Sequence, residues 1–83
     1  MTKMNGLHVY FNSECPTTAG GRKVFYSRRN DGPYYCWRYQ QELEKWLGSR
    51  VHLSELTRRS LSVASWASVP GALQATMDEH YLE

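Results

Sequence analysis

Residues 23–40, which read KVFYSRRNDGPYYCWRYQ, decide the fold that this sequence predicts. Two runs rich in aromatic and β-branched side chains flank the turn-forming segment Asn30-Asp31-Gly32. Asp-Gly supplies the positive φ angles of a tight hairpin, and Pro33 belongs at the mouth of the following strand because proline cannot donate to a ladder. The segment therefore predicts two antiparallel strands, over residues 23–28 and 34–40.

Further strands are predicted on both sides of this hairpin. Residues 7–11, LHVYF, alternate between apolar and polar side chains as a half-buried strand does. After a short turn, residues 45–53 predict another strand. Strands joined by short turns form an antiparallel meander, so we expect a sheet of three or four strands between about residues 7 and 53.

The last third of the chain predicts helices. Large side chains recur every four residues and indicate an amphipathic helix over about residues 69–81, capped by Ser68: Val69, Leu73, Met77 and Tyr81. A short helix over residues 54–59 is expected to begin at Ser54. The ambiguous stretch 60–66 is interpreted as helix, although Leu61 and Val63 alternate as strand residues would.

Together these elements predict a single α+β domain over residues 1–83. An antiparallel three- or four-stranded meander is followed by one or two C-terminal helices, at about residues 54–81, packed on one sheet face. The C-terminal helix is expected to bury its apolar stripe against four strand residues: Val9, Phe11, Val24 and Leu47.

Composition limits the classes of function. The chain has 83 residues, of which 41% are hydrophobic, and a formal net charge of +2. This suffices for one small core, and the charge is too low for a dedicated nucleic-acid binder. There is no apolar run of membrane-spanning length and no secretory signal at the N-terminus, so we expect a cytoplasmic protein with reduced thiols at Cys15 and Cys36.

The feature that points most directly to function is a cluster of aromatic and arginine side chains in the predicted sheet. The candidate binding face consists of Arg28, Arg29, Tyr35, Trp37, Arg38 and Tyr39. Tyrosine, tryptophan and arginine dominate protein-interface hot spots, which favours a non-enzymatic interaction module or accessory subunit that binds a partner protein or itself. The alternative function is binding of single-stranded nucleic acid, with bases stacked on the rings and phosphates on the cations. The purely structural alternative is that these aromatics stabilise strands and fill the core.

No catalytic, cofactor-binding or metal-binding residues are predicted. The sequence contains no phosphate loop, no G-x-S-x-G and no H-E-x-x-H. The potential metal ligands lack the spacing of known sites: His8, Cys15, Cys36, His52 and His80. Cys36 is interpreted as a small buried apolar residue within a strand.

Overall fold

The computed structural model describes residues 3–12, 24–56 and 61–82. The elements, in chain order, are strands β1 (Leu7–Asn12), β2 (Phe25–Arg29), β3 (Tyr34–Gln40) and β4 (Lys45–Val51), the single helical turn α1 (Leu53–Leu56), strand β5 (Leu61–Val63), a 3-10 turn (Trp66–Ser68) and helix α2 (Gly71–Tyr81). The predicted α+β fold class is confirmed, with one antiparallel sheet followed by a C-terminal helix.

The sheet has five strands, in the order β4-β3-β2-β1-β5, rather than the three or four predicted. The additional strand is β5, so the helix predicted over residues 60–66 is wrong. Residues Leu61–Val63 pair antiparallel with β1, where Tyr10 lies opposite Val63 and Asn12 opposite Leu61. The outer edge of β1 carries backbone polar groups that need partners, and the alternating pattern of Leu61 and Val63 suits that pairing. Residues 57–60 lie outside the described ranges.

The turn between β2 and β3 differs in detail from the prediction. The residue with positive φ is Asn30, at 54°, and not a residue of the Asp-Gly pair. The backbone N–H of Gly32 donates to the carbonyl of Arg29 at 3.0 Å, and the N–H of Asn30 donates to the carbonyl of Gly6 at 2.8 Å. Asparagine tolerates the left-handed region better than most residues, which lets the turn close around it.

Helix α2 covers one face of the sheet, which we call the helix face. Leu73 and Met77 of α2 are 0% exposed. The cluster that buries them includes Val9, with Phe11 packed against it, as predicted. Val24 and Leu47 were assigned to this core wrongly. Val24 packs against the cluster on the opposite face, and Leu47 is 39% exposed, because each is one residue out of phase with the side chains that point at α2.

The opposite face, which we call the back face, carries a smaller cluster. Tyr26 and Cys36 are buried there together with Leu56 of α1. The prediction that Cys36 is a buried apolar residue is confirmed by its exposure of 2%. Both faces of the sheet therefore bury aromatic rings, so that little aromatic surface remains open.

Helix α2 begins two residues later than predicted. Its cap is Pro70, and the hydroxyl of Ser68 donates to the carbonyl of Ser65 at 2.7 Å instead of capping the helix. The side-chain amide of Gln74 donates to the carbonyl of Trp66 at 2.7 Å, which joins the 3-10 turn to α2. Neither helix in the described residues has the length and hydropathy needed to cross a membrane.

Candidate functional site

The six residues of the candidate binding face lie on both sides of the sheet. Residues that pair across antiparallel strands share a face, and side chains alternate along each strand. The pairing places four of the six on the helix face and two on the back face: Arg29, Tyr35, Trp37 and Tyr39 against Arg28 and Arg38. They do not form one continuous surface, and Trp37 is only 2% exposed.

Trp37 is held in the core by a chain of hydrogen bonds. Its indole Nε1 donates to Oγ of Ser27 at 2.8 Å, and that oxygen lies 2.8 Å from the hydroxyl of Tyr81. Burial raises the pKa of Tyr81; the hydrogen bond with Ser27 lowers it in part, and the nearby Tyr35 raises it further. The tyrosine is therefore neutral in the folded protein, and it joins the end of α2 to the middle of the sheet.

Arg29 has a structural partner at the end of the same helix. Its Nη1 donates to the backbone carbonyl of Tyr81 at 2.8 Å. A cation at a helix C-terminus interacts favourably with the helix dipole and satisfies a carbonyl that has no partner within the helix. Arg29 thus fixes the last turn of α2 over the sheet.

His80 lies between the end of α2 and the aromatic rings of β3. Its ring centroid is 4.5 Å from that of Tyr35 and 5.4 Å from that of Trp37, with both rings in edge-on orientation. His80 itself is exposed. It lines two surface pockets.

The first pocket, which we call the Arg29 pocket, has a volume of about 280 Å³. Its lining combines one guanidinium with aromatic rings and the β2–β3 turn: Arg29, Gly32, Pro33, Tyr35, His80 and Tyr81. A pocket of this composition can hold an anionic or planar group.

The second pocket, which we call the Gly48 groove, has a volume of about 370 Å³ and lies against residues 46–48 of β4. It is lined by Trp37, Trp46, Leu47, Gly48, Thr76, Glu79 and His80. Gly48 pairs with Trp37 across the sheet, and a Cβ at this position would lie 2.5 Å from Cζ3 of the indole. The absence of a side chain at Gly48 therefore leaves room both for the indole and for the groove.

Strand β4 forms one edge of the sheet. Within residues 3–12, 24–56 and 61–82 it pairs with β3 alone. The pairing runs without a bulge from Gln40–Lys45 to Tyr34–Val51, and the seven residues of β4 include no proline. Every second residue of an edge strand directs its N–H and C=O outward, and bulges, prolines and short length are the usual obstacles to further pairing. In β4 the obstacles are limited to two cationic side chains, Lys45 and Arg50.

Arg28, on the back face, is engaged by its neighbours. Nη1 donates to the hydroxyl of Tyr34 at 3.0 Å, and the guanidinium carbon lies 4.8 Å from the centroid of the same ring. This hydrogen bond raises the pKa of Arg28 above its ordinary value, with smaller contributions from the charges of Tyr34, Asp31 and Tyr10. The 3.5 Å ion pair with Asp31 is solvent-exposed and contributes little.

In the part of the chain that the structure describes, the potential metal ligands do not form a cluster. There, no three histidine, cysteine or acidic side chains approach closely enough to hold a metal ion. Cys36 is a free and buried thiol, and Cys15 lies outside the described residues. No family model matches the chain, and comparison with curated proteins and with solved structures likewise gives no match.

Of the residues that line the Gly48 groove, the sequence analysis placed only Trp37 in the candidate binding face, and those that it missed include Gly48, Glu79 and His80. The signal available for Gly48 was a glycine inside a strand, which marks a close approach by another group. Its partner Trp37 could be identified only from the pairing of β3 with β4. Glu79 and His80 carried no signal, because their position depends on how α2 crosses the sheet.

Proposed function

We propose that this protein is a non-enzymatic protein-interaction module that binds an extended strand along the free edge of β4. The observation that carries the proposal is an edge of seven residues, regular and without proline, that lies beside a groove of about 370 Å³. Strand addition of this kind draws its affinity from main-chain hydrogen bonds and its selectivity from pockets that receive alternate side chains.

The geometry of antiparallel pairing specifies what the groove receives. A residue paired with Gly48 directs its side chain to the same face as Gly48, and therefore into the Gly48 groove. The groove offers the carboxylate of Glu79 and the rings of Trp37 and Trp46. A lysine or arginine suits this lining, because a cation is attracted both to a carboxylate and to an aromatic ring.

Burial of Trp37 moves the proposed binding surface away from the open aromatic face that the sequence suggested. Stacking a base on the rings of β3 requires exposed ring faces, and helix α2 occupies that side of the sheet. Protein recognition therefore remains our leading proposal. Its surface is the β4 edge and the Gly48 groove.

The test is a titration with defined peptides. Peptides selected by display against the immobilised protein are added to ¹⁵N-labelled protein, and amide shifts and hydrogen exchange are recorded. We expect shifts and new exchange protection at alternate residues of β4. Methylating the backbone nitrogens of every second peptide residue should abolish binding for one alternating set and spare the other. Binding that leaves the β4 amides unprotected would contradict the proposal.

The second candidate function, binding of single-stranded nucleic acid, is supported by the Arg29 pocket. A guanidinium can bind a phosphate, and the neighbouring tyrosine and histidine rings can stack on the base. The titration of the labelled protein with a mixed-sequence oligonucleotide, at about 50 and 200 mM salt, tests this candidate. Shifts at Arg29, Tyr35 and His80 that vanish at the higher salt would support it, and their absence at low salt would exclude it.

A further inference from the structure

We infer that the strand bound by β4 is the β4 strand of a second copy of this chain, paired so that Arg50 of each copy enters the Gly48 groove of the other. The inference rests on the proposed function of the β4 edge and names its partner. A two-fold axis perpendicular to the sheet would pass beside Ser49 and join the two sheets into one, with both α2 helices on the same side.

The spacing of residues in β4 carries this arrangement. With Ser49 opposite Ser49 of the second copy, Gly48 lies opposite Arg50 and Leu47 lies opposite Val51. Leu47 is 39% exposed and Val51 is half-buried on the back face, so the pairing covers two apolar side chains on that side. On the helix face it directs each Arg50 over Gly48 of the other copy.

Charge complementarity supports the same pairing. Glu79 is an exposed carboxylate in the lining of the groove, and Arg50 is an exposed cation two residues beyond Gly48. Neither forms an ion pair with any residue that the structure describes. In the dimer each Arg50 meets Glu79 of the other copy near the rings of Trp37 and Trp46, and the two-fold axis generates this contact twice.

Neighbouring alignments lack this match. Shifting the axis to Gly48 places the two glycines opposite each other and leaves both grooves without a side chain at their centre. Shifting it to Leu47 places Trp46 opposite Gly48, and a bulky indole already held in the core of its own copy cannot fill the second groove. Of these three alignments, the one centred on Ser49 introduces a cation beside Glu79.

Sedimentation equilibrium with charge reversals tests the inference. We expect the wild-type protein to form a dimer, and Arg50→Glu or Glu79→Arg alone to weaken dimerisation by at least about tenfold. The combined variant, which restores opposite charges across the interface, should recover most of the lost affinity. Lys45→Glu is the matched control, because it makes the same charge change on β4 outside the Arg50–Glu79 contact. Adding it should leave unchanged both the loss of affinity in the single variants and its recovery in the combined variant.

A cysteine crosslink tests the alignment independently, in a Cys15→Ser, Cys36→Ala background, because Cys36 lies opposite Ser49 across β3 and β4 and would compete for the new thiol. Two cysteines at position 49 would face each other across the axis at a separation that a disulfide can span, whereas two at position 47 would not. Ser49→Cys should therefore give a covalent dimer under mild oxidation, and Leu47→Cys should not.

The outcomes separate this inference from the proposed function. A wild-type protein that stays monomeric at about 1 mM would overturn the second-copy assignment. The peptide titration would then still test whether β4 binds a strand from another protein. A dimer whose affinity does not change with the charge reversals, or that crosslinks at position 47 and not at 49, would overturn the Arg50 alignment. A dimer with both predicted responses would establish it.

Discussion

Gly48 lies directly against the indole ring of Trp37, so close that a Cβ atom at Gly48 would approach Cζ3 to 2.5 Å. The indole cannot withdraw easily, because Nε1 is hydrogen-bonded to Ser27. We therefore expect Gly48→Ala to lower the free energy of unfolding by about 1–3 kcal/mol through overpacking. Urea unfolding measures the change.

Gly71 provides the matched control for this substitution. A Cβ at Gly71, the first residue of α2, would meet no atom within 4 Å. Gly71→Ala should stabilise the protein by about 0.4–1 kcal/mol, because alanine restricts the unfolded chain. Equal destabilisation by both substitutions would show that contact with Trp37 is not what requires glycine at position 48.

Ser27 connects the buried indole N–H of Trp37, which donates to it, to the half-buried hydroxyl of Tyr81. Ser27→Ala removes the side-chain oxygen that joins the two groups and leaves the indole N–H without its acceptor. We expect a loss of about 1–3 kcal/mol, the cost of an unsatisfied buried polar group. Thermal unfolding measures it against Ser68→Ala, which removes an exposed hydroxyl and should cost under about 0.5 kcal/mol.

Leu73 is 0% exposed at the contact between α2 and the helix face. Leu73→Ala should cost about 2–5 kcal/mol, since the site loses a buried side chain and keeps a cavity. In a protein of this size such a loss lowers the midpoint of thermal unfolding strongly. Leu53→Ala changes a leucine that is 63% exposed and should alter the midpoint little. Similar effects of the two would place the core elsewhere.

Tyr81 makes stability depend on pH in the alkaline range. Burial raises its pKa in the folded state above the ordinary value of 10.0, so the folded protein holds the phenolic proton more tightly than the unfolded chain does. This contribution is complete below pH 10.0 and is lost as the pH rises through the folded-state pKa.

The measurement is the free energy of unfolding in urea, from about pH 8 to 11. Wild-type protein should lose more stability over this range than Tyr81→Phe, which carries no ionisable group at that position. Parallel loss in the two proteins would mean that another group is responsible.

The fold followed from the sequence where the pattern was local. The strand Tyr34–Gln40 was predicted with the bounds that the structure has, because alternation and aromatic content fix both its extent and its two faces. The apolar stripe of α2 was also readable from its spacing. Strand β5 was not, because three residues carry little pattern of their own and become a strand only through their pairing with β1.

The site depended on information that no local pattern contains. Alternation grouped Tyr35, Trp37 and Tyr39 on one face, but it could not say that α2 would cover that face. The sequence placed Arg29 in the candidate binding face without showing that its guanidinium donates a hydrogen bond to the end of α2. The Gly48 groove exists only once β3, β4 and α2 are assembled.

Because α2 lies over the middle of the sheet, it also determines the order in which parts of the protein can fold during synthesis. Residues 24–56 contain three strands that pair with their neighbours in the chain, so this hairpin series can form while the rest of the protein is still being made. Ser27 and Tyr81 are 54 positions apart, and their bond must wait until α2 has been synthesised. Until α2 packs against the sheet, Trp37 and its neighbours remain uncovered, and the nascent chain exposes aromatic surface that is buried in the folded protein.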